Sequence, residues 1–165
     1  MHMNTASFSA GQPDLQGLIQ AFAFAVGDDG LSDPFSPVQW SAIAPYLQRC
    51  PLAAGQVLFS RGTQDRTLYL IESGSLSVHY EDDKGRVRLA MVGSGSVVGE
   101  GAFFSHRPRS ASVQAAAPST LWGLTSLRFT ELSNRQPALA LGLAMAAGSV
   151  LARRLGNRRR RVAAT

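Results

Sequence analysis

Only one cysteine, Cys50, occurs in the chain, so no disulfide can form within it and the fold must be held by burial alone. The expectation is a reducing, cytoplasmic setting with Cys50 as a buried thiol. Long apolar runs are also lacking. The longest, Pro137 to Ala152, is broken by Gly142, Gly148 and Ser149 and falls short of the ~20 residues that a bilayer core needs, so a packed helix is expected and no membrane span. The N-terminus lacks the charged start, unbroken apolar stretch and small-residue cleavage site of a secretory signal, and Met1, His2 and Met3 are set aside from fold reasoning. Histidine is scarce, and His79 and His106 stand isolated, without the clustered His and Glu spacing that builds a metal site. Nothing resembles a nucleophile–base pair, so no metal, cofactor or catalysis is expected.

What the chain does have is apolar mass. With 165 residues, 45% of them hydrophobic, it fits one domain hiding roughly 70% of the surface its unfolded form exposes. Its net charge of +5 suggests nucleic acid until the charges are located. Arg153, Arg154 and Arg158 to Arg161 supply six of the sixteen positive charges, and without them ten positive charges face eleven negative ones. The basic character therefore belongs to the last thirteen residues. A solvated helix end is the default reading of Arg158 to Arg161, ahead of RNA, DNA or an anionic membrane as a partner.

Residues 1–35 alternate Gly, Ser, Asp and Pro around one apolar patch, Leu15 to Val26, and read as a flank with a short helix. A domain is expected over 36–165. Within it, 36–52 is a lead helix: Ser36 is its N-cap, Pro37 its first residue, and Pro45 bends or ends it early. Over 53–125 the period changes to short strands at Val57 to Phe59, Thr67 to Ile71, Leu76 to Tyr80, Val87 to Val92, Val97-Val98, Ala111 to Ala115 and Thr120 to Leu124. Glycines punctuate them, and Asp82-Asp83-Lys84-Gly85 reads as a hairpin turn. Residues 126–165 read as two helices, Leu127 to Ser133 and Pro137 to Arg161, with a basic tail whose arginines suit the negative end of the helix dipole. The fold class is mainly β with flanking α: an antiparallel β-roll, jelly-roll-like, with an N-terminal helix, a short helix in its middle and two C-terminal helices.

The informative stretch runs from Gly99 to Ala111, Gly-Glu-Gly-Ala-Phe-Phe-Ser-His-Arg-Pro-Arg-Ser-Ala, between two strands. Gly99 and Gly101 let the backbone turn sharply and approach a ligand, and the N–H groups opening a single helical turn face an anion. Glu100 and Arg109 stand nine positions apart, with Pro108 before the arginine and Ser110 after it. Together with Gly55-Gln56-Val57-Leu58-Phe59, Gly62 and the block Leu68 to Leu76, this resembles the cyclic nucleotide-binding domain family of catabolite activators, protein kinase A regulatory subunits and cyclic nucleotide-gated channels. The resemblance covers about Val38 to Leu155.

That resemblance implies a phosphate-binding cassette. Arg109 pairs with the cyclic phosphate, Glu100 accepts from the ribose 2′-hydroxyl, and the amides of Gly101 and Ala102, next to Gly99, complete the cradle. Ser110 reaches the phosphate or the edge of a guanine, and permits cGMP without excluding cAMP, of which cAMP is the more expected. Leu89, Met91 and Val98 are candidates for the apolar wall against the base. The chain departs from the family at Gly101, where a bulky aliphatic is usual, and at Phe103 and Phe104, where paired aliphatics are. Arg107 is a rival phosphate partner. The bland alternatives are a structural salt bridge from Arg109 to Glu100 itself, a helix-start acid at Glu100 and a turn hydrogen bond at Ser110.

The expected function is a regulatory sensor. The C-terminal helices fold over the base through Ala140, Leu143, Ala147, Val150, Leu151 and Leu155, and Arg153 or Arg154 reaches toward the purine. The partners are then a cyclic mononucleotide and an effector protein of unknown identity, with a second copy of the chain as a further candidate. About ten residues follow Leu155, so sequence-specific DNA binding is not expected. The alternatives are a degenerate, non-binding roll that serves protein interaction, or a fragment of a larger cyclic-nucleotide-regulated protein.

Overall fold

The computed structural model describes residues 13–25 and 30–163, with side chains as far as Asn157. The expectations for Met1 to Met3, for Val26 and for the side chains of Arg158 to Arg161 lie outside these residues. Eight strands, numbered in chain order, form two antiparallel sheets of four. In the first, β1 (Gln48–Leu52), β8 (Ser119–Leu124), β3 (Leu68–Ser73) and β6 (Val97–Val98) lie side by side in that order. In the second the order is β2 (Val57–Phe59), β7 (Ala111–Ala115), β4 (Ser75–Glu81) and β5 (Val87–Gly93). This is the antiparallel roll the turn spacing predicts. Five α-helices accompany it: α1 (Gln16–Ala23), α2 (Pro37–Ile43), α3 (Glu100–Ser105), α4 (Ser126–Arg135) and α5 (Pro137–Ala163).

The first sheet is covered on both faces, which explains why β3 and β8 read as nearly unbroken apolar runs. Leu68 and Leu70 of β3 and Trp122 and Leu124 of β8 join a core with Leu18, Trp40, Leu132 and Leu143 of the helices. On the opposite face Ile71 and Leu121 meet Leu76, Val92 and Val113 between the sheets. The second sheet turns its other face outward, where β5 exposes Val87, Leu89 and Met91.

Residues 15–22 belong to the helical core rather than lying loose beside it. Leu18 is fully buried, and Phe22 stacks on Trp40 with ring centroids 5.5 Å apart. Trp40 also donates its indole N–H to Asp33 Oδ1 at 3.0 Å. The start of α2 is as the sequence predicts: Ser36 Oγ accepts from Gln39 N at 3.3 Å while Gln39 Oε1 accepts from Ser36 N at 2.9 Å, a reciprocal capping box.

A difference from expectation lies just beyond. Pro45 closes the helix into a 3-10 turn, Ala44–Tyr46, and residues 48–52, expected as its continuation, form β1 against β8 instead. Pro51 is tolerated there because β1 is an edge strand with one side free of ladder bonds. Cys50 on β1 packs on the core between the sheets, and that burial pushes its thiol pKa up. The hairpin at 82–85 forms as expected, with Gly85 at φ +73° and Asp82 Oδ1 accepting from Lys84 N and Arg86 N at 2.9 Å each.

Helix α5 covers the expected Pro137 to Arg161 and ends at Ala163. Its stretch Pro137–Asn157 spans 21 residues, and an 18-residue window within it has a mean hydropathy of 1.4, long and apolar enough by those measures to cross a membrane. Its inner face is nevertheless protein core: Leu139, Ala140, Leu143, Ala147 and Val150 are buried against the roll and α4. Replacing Leu143, fully buried, by Ala should cost about 2–5 kcal/mol of unfolding free energy in urea titrations. Replacing Leu141, 64% exposed, should stay within about 0.5 kcal/mol.

Candidate functional site

A cleft of about 210 Å³ opens where the inner face of the second sheet meets α3 and the far end of α5. Val78, Tyr80, Ala90 and Val113 form its sheet wall, Gly99 to Ala102 its floor, and Leu151, Arg154, Leu155 and Asn157 its cover. The floor begins at Gly99, whose φ of +85° is one that side-chain-bearing residues rarely adopt. A Cβ there would also lie 2.6 Å from Arg109 Nη1 and 2.7 Å from Thr67 O. Only glycine allows this approach. The turn launches α3, whose first-turn amides, including Gly101 and Ala102, have no acceptor inside the helix. At Gly101 a Cβ would meet nothing within 4 Å, so the departure at this position is not forced by crowding.

Arg109 is seated beneath that turn, its side chain only 1% exposed. Nη1 donates to Gly99 O at 3.0 Å, and Nη2 donates to Thr67 O at 2.7 Å and Asp65 Oδ2 at 2.8 Å. The guanidinium carbon lies 3.9 Å from the centroid of the Phe59 ring. A guanidinium has five N–H groups, so these bonds leave one on Nη1 and the one on Nε, and Nε is buried with no partner among the described residues. Burial alone would raise the Asp65 carboxyl, but the hydrogen bonds from Arg109 and Thr67 outweigh it and hold its pKa below the usual value.

Glu100 is paired elsewhere. Arg154 of α5 donates from Nη1 to Glu100 Oε1 at 2.7 Å, and from Nη2 to Ser96 Oγ and Val97 O at 2.8 Å each. Arg109 and Glu100 therefore do not form the mutual salt bridge weighed as the bland alternative; each has its own partner. Arg153 turns away and donates to Gly30 O at 2.7 Å, so of the two arginines it is Arg154 that reaches the cleft.

Glu100, Gly101, Ala102, Arg109, Ser110 and Val98 are all brought to the cleft with Gly99. Met91 borders it while half exposed. Leu89 does not reach it. The register sets Leu89 opposite His79 and Ala90 opposite Val78, and the pleat sends adjacent residues to opposite faces, so Ala90 takes the cleft and Leu89 the outer surface. Arg107 is exposed where Arg109 is buried, which removes it as a rival for the buried seat. Sequence reasoning missed Asp65 and Thr67, because a partner 44 positions from Arg109 leaves no local signal.

The profile of the family described as cyclic nucleotide-binding domain matches residues 49–136, more than half of the chain. The chain belongs to the cyclic nucleotide-binding domain family. Among curated relatives, the cAMP-dependent protein kinase regulatory subunit of Blastocladiella emersonii is 28% identical over 109 residues, 66% of this chain and 27% of that one. The cyclic AMP receptor protein of Thermus thermophilus is 31% identical over 121 residues, 73% of this chain and 54% of that one. The chain thus spans from about a quarter to about half the length of these two relatives. Among solved structures, a cyclic nucleotide-binding domain from Methylobacillus flagellatus superposes with a TM-score of 0.77 at 21% identity, covering 90% of this chain and 82% of that one, a likeness of fold. The Thermus thermophilus catabolite activator protein gives a TM-score of 0.66 at 28% identity, over 80% of this chain and 61% of that one.

The Asp65–Arg109 pair has a measurable signature in a family member of this kind. A depressed carboxyl pKa adds stability that is fully present above the unfolded value of about 3.9 and is lost as pH falls through the lower folded value. Asp65→Asn should therefore be less stable than the parent at neutral pH, and urea titrations should show its stability falling less steeply below pH 4.

Proposed function

We propose that the chain binds a cyclic mononucleotide, cAMP in preference to cGMP, in this cleft and reports its occupancy through movement of α4 and α5. The observation that carries the reading is Arg109: a buried cation with N–H groups left on Nη1 and Nε, facing a glycine turn and a helix start that together suit a monoanionic phosphodiester. Glu100, within the same cleft, suits a ribose hydroxyl, and the apolar wall of Val78, Ala90 and Val113 suits a purine face.

The route from ligand to output is supported by contacts that leave α3 in two directions. Phe103 stands edge-on to Phe129 of α4 with centroids 5.0 Å apart, and Glu100 is tied to Arg154 of α5. A shift of the cassette on binding moves groups on which both helices rest, so ligand and helix position share one equilibrium. A second reading, a roll that keeps the fold without the ligand, draws on the fact that Arg109 and Glu100 are each already paired within the protein.

Thermal melting separates the two readings. A binder gains about 2.7 kcal/mol of stability at a hundredfold excess of ligand over Kd, and a non-binder shows no shift with cAMP, cGMP, cyclic di-GMP or 5′-AMP. Arg109→Ala should cost ~2–5 kcal/mol, about thirty- to several-thousand-fold in affinity for the preferred nucleotide by titration calorimetry. Unchanged binding by that variant would remove Arg109 from the role assigned to it.

A further inference from the structure

Strand β5 borders the second sheet and pairs with β4 alone among the described residues. Its backbone parity can be read from the hairpin. Asp82 N donates to Arg86 O at 2.9 Å, and the register continues with Tyr80 opposite Arg88 and Val78 opposite Ala90, so these β5 residues turn their N–H and C=O groups toward β4. Val87, Leu89 and Met91 therefore turn theirs to the open side. The same three residues carry the outward side chains, 71%, 60% and 51% exposed. Unpaired backbone groups and uncovered apolar side chains thus fall on one set of alternate residues. We propose that this border pairs with the same border of a second copy of the chain, antiparallel about a two-fold axis at Leu89.

The strand is complementary to itself in that register. Val87 meets the partner's Met91 and Leu89 meets the partner's Leu89, and each such pair exchanges two backbone hydrogen bonds. Charge agrees with this pairing. Arg88 comes opposite the partner's Ala90 and Arg86 opposite the partner's Val92, so no like charges are opposed, and Asp82 Oδ2 already accepts from Nε of Arg86 at 3.1 Å and of Arg88 at 3.0 Å. Moving the axis to Arg88 would set that arginine against its own copy, and moving it to Ala90 would leave Val87 facing Gly93. Over residues 81–92, Glu81, Asp82 and Asp83 balance Lys84, Arg86 and Arg88, so the two hairpins bring no net charge to the contact. The other borders offer little to extend the assembly, with Pro51 in β1 and only three and two residues in β2 and β6. A two-fold contact also uses up both copies of β5, and association closes at two. A seven-residue strand falls below the ~1,200 Å² of a standard stable interface, which sets the dissociation constant in the micromolar range, on the order of 10 µM.

Sedimentation velocity of the full chain from ~1 to ~100 µM should show a monomer–dimer equilibrium and nothing larger. Leu89→Lys sets two like charges on the axis and should weaken self-association at least ~tenfold, whereas Leu141→Lys, on the exposed side of α5, should leave it unchanged. Cysteine substitution reads the register directly, because hydrogen-bonded cross-strand residues with Cα atoms ~5.5 Å apart suit a disulfide. Under mild oxidation Leu89→Cys should give a linked dimer by itself, while Val87→Cys and Met91→Cys should link only when the two proteins are mixed. The parent, whose Cys50 packs on the core between the sheets, should stay unlinked. A parent that is monomeric at ~100 µM, a dimer broken by Leu141→Lys but not by Leu89→Lys, or linkage of Val87→Cys to itself in place of Leu89→Cys overturns the inference.

Discussion

A guanidinium taken out of water costs several kcal/mol unless its hydrogens find acceptors, and the centre of this molecule is arranged around meeting that demand at Arg109. Three different segments contribute: the carbonyl of Gly99, the carbonyl of Thr67 and the carboxylate of Asp65, with the Phe59 ring beneath. Each contribution constrains its own stretch of chain. Gly99 must lack a side chain, residues 65–67 must turn inward ahead of β3, and β2 must bring an aromatic ring to the same point. The cassette is therefore not a loop laid on the roll. It is a place where strands from both sheets are tied to one charge, and a ligand arriving there acts on the whole of that tie.

What could be seen in the sequence, and what could not, follows from the range of the interactions involved. The strands β2 to β8 were legible because their causes are local: a glycine in every connection but the last, where Pro118 stands, and an apolar run between. The cassette was legible because Gly99, Glu100 and Arg109 fall within a dozen residues. Strand β1 was not, since a proline-containing segment behind a helix carries no strand signal of its own and is extended only because β8 offers it an edge. Asp65 and the bond between Glu100 and Arg154 were equally hidden, for their partners lie 44 and 54 positions away and any acid or arginine would have served as well on paper. Leu89 shows a different failure. Its type was right for a wall, but one position of pleat decides which face a residue serves, and composition does not carry that parity.

Helix α5 has two jobs that its sequence keeps apart. Its first half is fastened by apolar burial, through Leu139, Leu143, Ala147 and Val150; its second half is fastened by polar bonds from Arg153 to Gly30 and from Arg154 to the cassette and β6. Of these attachments, the bond from Arg154 to Glu100 is the one that lines the cleft itself. A helix anchored in this way is held by packing at its root and by polar bonds toward its tip, and the tip is where Leu151 and Leu155 line the cleft.

The edges of the two sheets differ in a way that bears on how the chain behaves when it is only partly folded. β1 carries Pro51, which has no hydrogen to donate, while β6 and β2 are two and three residues long. Those three margins offer little for another strand to grip. β5 is the exception, seven residues long at the margin of the second sheet, with Val87, Leu89 and Met91 all more than half exposed. The residue whose parity takes it away from the cleft thus sits on the longest and most apolar of the four described edges, the one that offers most to strand-by-strand growth between molecules.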